Sequence, residues 1–212
     1  MKAVRPNSYG QSRQFSGLEL WAIRRRQRVA LQALRGLVHA RPGAELRVLE
    51  LGCGYLGANL QMMAAQFPLV QFTGLDVHIF DEGTSPQIQL IQGDIEVWQP
   101  KKQYDLVMSL AVVEHLARPA EHFGVIAGCL KPDGLAVLTT PTPLADIVLR
   151  SLARAGIFDR GEILDHQTYL TESGIRSFCR RAKLEIMKYG RASFGMNHTA
   201  LMRKEVDGDA KK

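Results

Sequence analysis

The sequence has few cysteines and no long apolar run. Only three cysteines occur among 212 residues, and they lie far apart at Cys53, Cys129 and Cys179. An odd number of widely separated cysteines excludes a disulfide scaffold and a zinc site of the Cys-x-x-Cys type, and it favours a reducing cytoplasm. No apolar run approaches the ~18 residues of a membrane span, and the start of the chain contains no apolar block like that of a signal peptide. We therefore expect a cytoplasmic protein without a membrane span.

Composition and charge are those of a globular protein with an uneven charge distribution. Hydrophobic residues make up 46% and charged residues 23% of the chain, and the length suits a single domain. The net charge of +6 divides into +8 for residues 1–47, −7 for residues 48–147 and +5 for residues 148–212. A basic chain suggests nucleic acid, but basic segments around an acidic centre equally suit a lid for an acidic substrate.

The apolar pattern alternates between strands and helices. Short apolar runs predict strands at residues 46–51, 70–75, 88–91, 104–109 and 135–139, with a turn at residues 131–134. Helical spacing predicts helices at residues 17–39, 56–67, 120–130, 144–155 and 171–181, and two closing strands are predicted at residues 184–189 and 197–202. This alternation indicates parallel β-α-β units, and the apolar continuity of the strands indicates that both sheet faces are covered.

The same pattern predicts three segments. Residues 1–16 are polar and are expected to form a flexible N-terminal arm. Residues 17–204 are expected to form a single domain that opens with a basic helix, and residues 205–212 a charged tail.

A glycine-rich turn follows the first of the predicted strands. Residues 48–54 read Val-Leu-Glu-Leu-Gly-Cys-Gly, ending in Gly52, Cys53 and Gly54. Glycine permits a tight turn and lets a ligand approach where a Cβ atom would collide. In an open parallel sheet, ligands bind beyond the carboxyl ends of the strands. A plain strand-to-helix turn explains the glycines equally well, so the loop indicates a ligand site only together with other residues.

Acidic residues at successive strand ends provide that second signal. Asp76 ends the second strand and can accept hydrogen bonds from ribose hydroxyls. Asp94 follows the third strand, where a carboxylate can accept from an exocyclic adenine amine, and Glu50 is placed to meet a charged amine. Each acid alone fits a solvated turn residue. Three acids beside a glycine loop favour a nucleoside-containing ligand.

A nicotinamide cofactor is the competing interpretation. Gly52, Gly54 and Gly57 match the G-x-G-x-x-G spacing of that site. However, Glu50 and Asp94 have no role there, the first strand follows a long lead, and no second dinucleotide-binding half is visible.

Further blocks complete a resemblance to class I S-adenosylmethionine-dependent methyltransferases. Besides the loop and the acids, they are residues 104–109 (YDLVMS), 110–116 (LAVVEHL) and 130–135 (LKPDGL). The five blocks occur in the family's order and cover residues 46–141. The resemblance implies an α/β fold, a Rossmann-like three-layer sandwich with a seven-stranded, mostly parallel sheet and a final antiparallel strand. It also implies S-adenosylmethionine as the cofactor.

The resemblance assigns roles to residues of this chain. In the family, the glycine loop contacts the methionine part of the cofactor, the second acid the ribose and the third the adenine. The cofactor-binding residues implied here are Glu50, Gly52, Cys53, Gly54, Asp76, Val77, Asp94, Ile95 and Ser109.

Two departures from the family pattern change these expectations. The family's third loop glycine falls at Leu56, with Gly57 one place later. The connection from Asp76 to Ile88 is short for the usual helix, so His78, Ile79 or Phe80 are candidate covers over the adenine.

Two histidines are candidate general bases. An oxygen acceptor must lose a proton, and a neutral histidine suits this task at pH 7. His115 follows Glu114 after the fourth strand, close to the expected methyl group, although a packing role that orients the loop fits about equally well. His166 lies on the variable segment that covers the acceptor side in relatives, where a substrate contact is favoured over a base. Glu114, Tyr169 and Trp21 are the other predicted substrate contacts.

No required metal is expected. Some related O-methyltransferases of quinone synthesis carry a further Glu three residues before the Glu-His pair and bind a divalent ion. That position is Ala111 here, and Glu114 with His115 is a thin ligand set.

The arginines of the first helix leave the acceptor open. Arg24, Arg25 and Arg26 fit a solvated helix face, a lid, or a contact to a phosphorylated or sugar-acid substrate. No RNA-recognition aromatics support a nucleic-acid partner. We therefore predict O-methylation of a small molecule or glycan, with an anionic acceptor compatible with the arginines. The alternatives are an RNA or ribosome methyltransferase that uses the basic arm, and a non-catalytic S-adenosylmethionine-binding module.

Overall fold

The computed structural model of the protein describes the backbone of residues 4–6, 12–14, 17–80, 85–145 and 168–205, with side chains from residue 24 onward. The helices are α1 (Gly17–Ala40), α2 (Ala58–Ala64), α3 (Pro119–Cys129) and α4 (Glu172–Arg181), with a 3-10 turn at Val113–His115. The strands are β1 (Val4–Pro6), β2 (Ser12–Gln14), β3 (Arg47–Leu51), β4 (Gln71–Asp76), β5 (Ile88–Gln92), β6 (Tyr104–Leu110), β7 (Leu130–Pro141), β8 (Leu184–Ala192) and β9 (Asn197–Lys204).

Seven strands form one mixed sheet in the order β5-β4-β3-β6-β7-β9-β8. Strands β3 to β7 are parallel, and β9 lies antiparallel between β7 and β8. All seven residues of β6 are buried, as expected for a central parallel strand covered on both faces. The predicted α/β fold with a final antiparallel strand is confirmed.

Two hydrophobic cores cover the two faces of the sheet and create three layers. Ala30 and Leu34 of α1 pack with Leu60 of α2 on one face. Phe123 of α3 and Ile175 of α4 pack on the other. Side chains alternate between faces along each strand, so neighbouring strand residues belong to different cores. No helix among the described residues combines the length and the hydropathy needed to cross a bilayer.

Helix α1 runs across one face of the sheet, between the end where the parallel strands begin and the end where they finish. Just after the helix, Arg41 donates a hydrogen bond to Asp105 at the start of β6, with 2.9 Å between Nη1 and Oδ1. This contact holds the C-terminal end of α1 at the edge where the parallel strands begin. Gln27 lies 14 residues earlier, about 20 Å along a helix. The N-terminal half of α1 therefore lies toward the edge where the strands end.

The predicted turn at residues 131–134 is instead a bulge within β7. Tyr104 pairs with Leu130 and Leu106 pairs with Leu135, so one residue of β6 faces four of β7. A Cβ atom at Gly134 would come within 2.9 Å of the Tyr104 carbonyl oxygen, so glycine permits this close approach. Strand β7 therefore begins at Leu130, five residues before the predicted start.

Three further predictions meet a different or incomplete outcome. In the expected N-terminal arm, β1 and β2 pair antiparallel, while the flexibility of the arm stays a prediction. The second helix is shorter than predicted, because Gly57 adopts a left-handed φ of 56° and α2 begins only at Ala58. The predicted helix at residues 144–155 lies largely outside the described residues.

Candidate cofactor and acceptor site

The ends of three neighbouring strands meet at one edge of the sheet. Leu51 of β3 pairs with Leu75 of β4, and Asp76 pairs with Gln92 of β5. The loops that follow are joined to the end of β4: Gly52 N donates to the Leu75 carbonyl at 2.8 Å, and Gly93 N donates to the Asp76 carbonyl at 2.9 Å. The sheet register therefore brings the predicted loop and acids to one edge.

The glycine loop requires glycine for two separate reasons. Gly52 has a φ of 72°, and a Cβ atom there would lie 2.3 Å from Val112 Cγ2. Gly54 also has a φ of 72°, in the left-handed region that residues with a Cβ avoid. Between them, the Cys53 thiol is buried in the core on the α1 face, and burial raises its pKa. Only the backbone of Cys53 is thus available to a ligand.

Asp76 joins its own strand end to the glycine loop. Gly54 N donates to Asp76 Oδ2 at 2.8 Å, and His78 N donates to Oδ1 at 3.2 Å. A carboxylate can accept about four hydrogen bonds, so both oxygens retain acceptor capacity. The side chain is half-buried and well suited to accept from a pair of hydroxyls.

The residues after β4 and β5 differ in exposure. Val77 is 48% exposed directly after Asp76. Asp94 is exposed and organises its own turn, because Glu96 N donates to its Oδ1 at 2.9 Å. Ile95 is buried in the core on the α3 face, so its side chain is committed to packing.

An aromatic pair lies beside this loop. The rings of Tyr55 and Phe80 stack with centroids 5.4 Å apart, and Phe80 N donates to the Tyr55 carbonyl at 2.8 Å. Phe80, a predicted adenine cover, remains 37% exposed. Tyr55 was missed in the sequence, where its only signal was its position directly after the glycine loop.

Glu50 is fully buried on the α1 face of the sheet. Asn59 Nδ2 in α2 donates to Glu50 Oε1 at 2.6 Å, and Gln27 in α1 donates to Asn59 Oδ1. Glu50 Oε2 has no hydrogen-bond partner among the described residues. Burial, with a smaller contribution from Asp76 and against the Asn59 hydrogen bond, raises the pKa of Glu50 to about 8.

Sequence reasoning missed Gln27 and Asn59. Each is a polar residue on the core-facing side of a helix. Gln27 is only 5% exposed and lies one helical turn before the fully buried Ala30. A polar interruption of an apolar stripe was the available signal, although it does not identify the partner.

Ser109 does not present its hydroxyl at the sheet edge. The side chain is fully buried under α3, where Ser109 Oγ and His122 Nε2 lie 2.8 Å apart. Burial lowers the pKa of His122 to about 4, which keeps the imidazole neutral. Alternation along β6 directs the Ser109 side chain into the core. Only the backbone of Ser109 is therefore available for the predicted cofactor contact, which stays a prediction.

Glu114 lies in the turn after β6 and faces inward. It is 1% exposed, and Thr140 Oγ1 in β7 donates to its Oε2 at 3.0 Å. Burial raises the pKa of Glu114, while its backbone N–H and the charges of His115 and Arg26 act in the opposite direction. The contribution of Arg26 indicates that the N-terminal half of α1 lies near this turn.

The remaining predicted acceptor residues have different surroundings. His115 is exposed beside Glu114. Tyr169 is half-buried, and the neighbouring Thr168 N donates to the Glu114 carbonyl at 3.2 Å. His166 and the side chain of Trp21 lie outside the described residues.

No group of three or more His, Cys, Asp or Glu in the described part of the chain could hold a metal ion. Ala111, the position that bears a Glu in some relatives, adopts a left-handed φ of 60°. Its N–H donates to the Thr139 carbonyl at 2.9 Å, so the chain turns sharply there.

The sheet order, the glycine loop and the acids at successive strand ends together define a class I methyltransferase fold. A family model described as a methyltransferase domain matches residues 22–189. The chain belongs to this family of methyltransferase domains, in the class that depends on S-adenosylmethionine.

Curated relatives match part of the chain. It is 29% identical over 120 residues to trans-aconitate 2-methyltransferase of Acidovorax sp. (strain JS42), an alignment that covers 50% of this chain and 46% of the relative. It is 32% identical over 118 residues to tRNA U34 carboxymethyltransferase of Trichlorobacter lovleyi, covering 50% of this chain and 35% of the relative. The chain thus spans less than half the length of these relatives.

A solved structure extends the similarity in fold to nearly the whole chain. Magnesium protoporphyrin IX methyltransferase from Synechocystis, solved with bound S-adenosylhomocysteine, superposes with a TM-score of 0.63. The match covers 93% of this chain and 91% of that chain at 18% sequence identity.

Proposed function

We propose that the protein transfers the methyl group of S-adenosylmethionine to an oxygen atom of a small-molecule or glycan acceptor. The observation that carries the proposal is the connection between Asp76 and the glycine loop, made by the 2.8 Å hydrogen bond from Gly54 N. This contact joins a carboxylate suited to ribose hydroxyls to a backbone turn that leaves room for a ligand.

The residues at the sheet edge fit the cofactor chemically. Asp76 would hold the ribose hydroxyls, Asp94 the adenine amine and Glu50 the methionine ammonium group. The aromatic face of Phe80 is available as a cover for the adenine. Three acids suit a cofactor that carries a positive sulfonium and an ammonium group.

The protein itself contributes positioning and proton removal. The cofactor supplies an electrophilic methyl group, so the main tasks of the chain are to orient the acceptor and exclude water. His115, exposed after β6, would accept the proton of an acceptor hydroxyl. The buried Glu114 next to it would hold the turn through Thr140.

The N-terminal half of α1 favours an anionic acceptor. Arg24, Arg25 and Arg28 are exposed on the part of α1 that lies toward the strand ends. Guanidinium groups recognise carboxylates and phosphates well. The relative from Acidovorax, named for the small acid trans-aconitate, supports a small anionic acceptor.

Cofactor binding is tested by calorimetry with S-adenosylmethionine. Asp76→Ala removes the acceptor for the ribose hydroxyls and should weaken binding about 100-fold. Asp133→Ala, an exposed acid at the opposite sheet edge, is the matched control and should bind like wild type. Equal affinities of wild type and Asp76→Ala would contradict the assignment of the site.

Catalysis and the acceptor class require a separate screen. Labelled S-adenosylmethionine should give turnover with small acids, phosphorylated sugars or lipid-linked glycans, and His115→Ala should slow it about 100-fold. Unchanged turnover in His115→Ala would exclude the role as base. Binding without turnover on any acceptor class would favour a non-catalytic binding module.

An RNA acceptor is the second candidate, because the arginines of α1 are exposed and one relative is named for tRNA. Salt-dependent RNA affinity that is lost when Arg24, Arg25 and Arg28 are replaced together would favour it. Salt-independent or absent RNA binding would exclude it.

A further inference from the structure

Three side chains from three different elements form a continuous hydrogen-bonded chain that ends at the candidate cofactor site. Gln27 of α1 donates to Asn59 Oδ1 of α2, and Asn59 Nδ2 donates to Glu50 Oε1 of β3. Gln27 is 5% exposed and Glu50 is fully buried. These polar side chains lie beside the hydrophobic core on the α1 face of the sheet, where buried polar groups require hydrogen-bond partners.

The direction of this chain follows from its last member. The ionised carboxylate that pairs with a cation only accepts hydrogen bonds, so Asn59 must present its amino group to that form of Glu50. The carbonyl oxygen of Asn59 then faces Gln27, whose amino group must donate. Gln27 therefore supports the orientation of Asn59 that suits an ionised Glu50, from a position 32 residues earlier in the sequence.

The described groups around Glu50 provide no positive charge. The titratable group that acts on it is Asp76 at the end of β4, and the nearby Cys53 thiol in the loop is also an acid. The elements packed above it, α1 and α2, contribute the neutral amides of Gln27 and Asn59. One carboxyl oxygen, Oε2, has no partner among the described residues although it is buried. Such a buried acid is incomplete without a cationic ligand.

We propose that Gln27 and Asn59 are positioning residues, which hold the Glu50 carboxyl group so that its second oxygen meets the ammonium group of the cofactor. Helix α1 is then part of the cofactor site, through a buried amide, and not only a basic cover. This inference rests on the proposed function, because it presumes that S-adenosylmethionine is the ligand.

The proposal makes binding of the ammonium group depend on pH. With a pKa of about 8, Glu50 holds its proton in the empty protein at pH 6 to 7.5 and must release it to pair with a cation. Affinity for a ligand with an ammonium group should therefore rise by up to about tenfold per pH unit in this window. A ligand without that group should bind equally at all these pH values.

Two ligands and three variants separate positioning from general packing. S-adenosylhomocysteine carries the amino-acid portion, and 5′-methylthioadenosine lacks it while retaining the adenosine. Asn59→Leu removes the donor to Glu50, and Gln27→Met removes the orienting amide at similar volume. Gln66→Met is the matched control, because Gln66 accepts from Arg35 of α1 at 3.1 Å without a link to Glu50.

We expect selective loss of affinity for the amino-acid portion of the ligand. In calorimetry at pH 7, Asn59→Leu should bind S-adenosylhomocysteine at least about tenfold more weakly and Gln27→Met about threefold, while 5′-methylthioadenosine binds each variant within about twofold of wild type. Gln66→Met should leave both ligands unchanged. The pH dependence with S-adenosylhomocysteine should shift to higher pH in Asn59→Leu and disappear in Glu50→Gln.

The possible failures are distinguishable. If neither ligand binds the wild-type protein, the proposed function is wrong. If both ligands bind and Asn59→Leu or Gln27→Met weakens them equally, the amides are structural only and the inference is overturned while the function stands. Gln27→Met acts from the far end of the chain, so the inference is tested even if Asn59→Leu fails to fold.

Discussion

Two buried acids of the same sheet lie at opposite ends of its parallel strands and have different surroundings. Asp105, at the start of β6, accepts hydrogen bonds from Arg41 and Lys131 and from the backbone N–H of Arg47, at 2.8 to 2.9 Å. Glu50, near the end of β3, accepts a single hydrogen bond from the neutral Asn59. Among the described residues, two cations pair with Asp105 where the parallel strands begin, and none pairs with Glu50 where they end.

The surroundings of these two side chains distinguish a structural acid from a candidate ligand-binding acid. Burying a carboxylate is costly unless cations and hydrogen bonds compensate. Asp105 has two cations and therefore needs no ligand. Glu50 has none among its described neighbours, and burial raises its pKa. Ligands of open parallel sheets bind at the edge where Glu50 lies.

The largest expected effect concerns Asp105. Asp105→Asn leaves Arg41 and Lys131 without their buried partner and should lower the free energy of unfolding by about 3 kcal/mol. Asp133→Asn removes only an exposed partner of Arg41 and should cost less than about 1 kcal/mol. Urea denaturation of both variants measures the difference. Equal losses in the free energy of unfolding would contradict this prediction, because the burial of Asp105 would then have no effect on the strength of its ion pairs.

In the absence of cofactor, Glu50→Gln is expected to change the free energy of unfolding in the direction opposite to Asp105→Asn. The folded carboxyl group keeps its proton up to about pH 8, whereas the unfolded chain releases it near 4.5. The wild-type protein therefore loses stability from this group as the pH rises between these values, by at most about 1.4 kcal/mol per unit.

Glutamine cannot ionise, so the variant escapes this loss. From pH 5 to 8, the difference in free energy of unfolding should change by about 3 kcal/mol in favour of Glu50→Gln. Denaturation series at several pH values check this result, with Glu185→Gln, which removes an exposed carboxyl group, as the control. A constant difference across the range would mean that Glu50 is already ionised in the empty protein.

The smallest effect compares two adjacent threonines at the strand-end edge. Thr140 donates to the buried Glu114, while Thr139 Oγ1 is buried without a partner among the described residues. Thr140→Val should cost about 1.5 kcal/mol, because it removes the donor and leaves the carboxyl group unsatisfied. Thr139→Val should be neutral or stabilising, since it removes an unpaired hydroxyl. Chemical denaturation measures both, and a larger loss for Thr139→Val would contradict the assignment of Glu114 as an internally held acid.

Much of the fold could be predicted because its signals are local. Apolar runs such as those at residues 46–51 and 104–109 match β3 and β6 within one residue. The helix predicted to begin at residue 171 is found as α4, and the Thr171 side chain caps it by accepting from Gly174 N at 3.2 Å. Hydrophobic period and capping depend on neighbouring residues only, so the sequence displays them directly.

The errors arose where the partner of a residue is distant in sequence. The bulge at residues 131–134 depends on how β7 pairs with β6, and no local pattern separates it from a turn. Ser109 was placed correctly on a strand, but the position of α3 above it decides that its hydroxyl contacts His122. A residue can thus be assigned to the right strand while the sequence does not show what its side chain contacts.

Periodicity and glycine spacing are properties of a short stretch of chain. The alternating elements, the glycine loop and the acids at the strand ends could therefore be recognised from the amino-acid sequence. Only the tertiary structure decided which acids are neutralised. Arg41 reaches Asp105 across 64 residues, and Gln27 reaches Asn59 across 32. Whether a buried charge is compensated depends on what packs against it in space, and that contact exists only once the sheet and its helices have assembled.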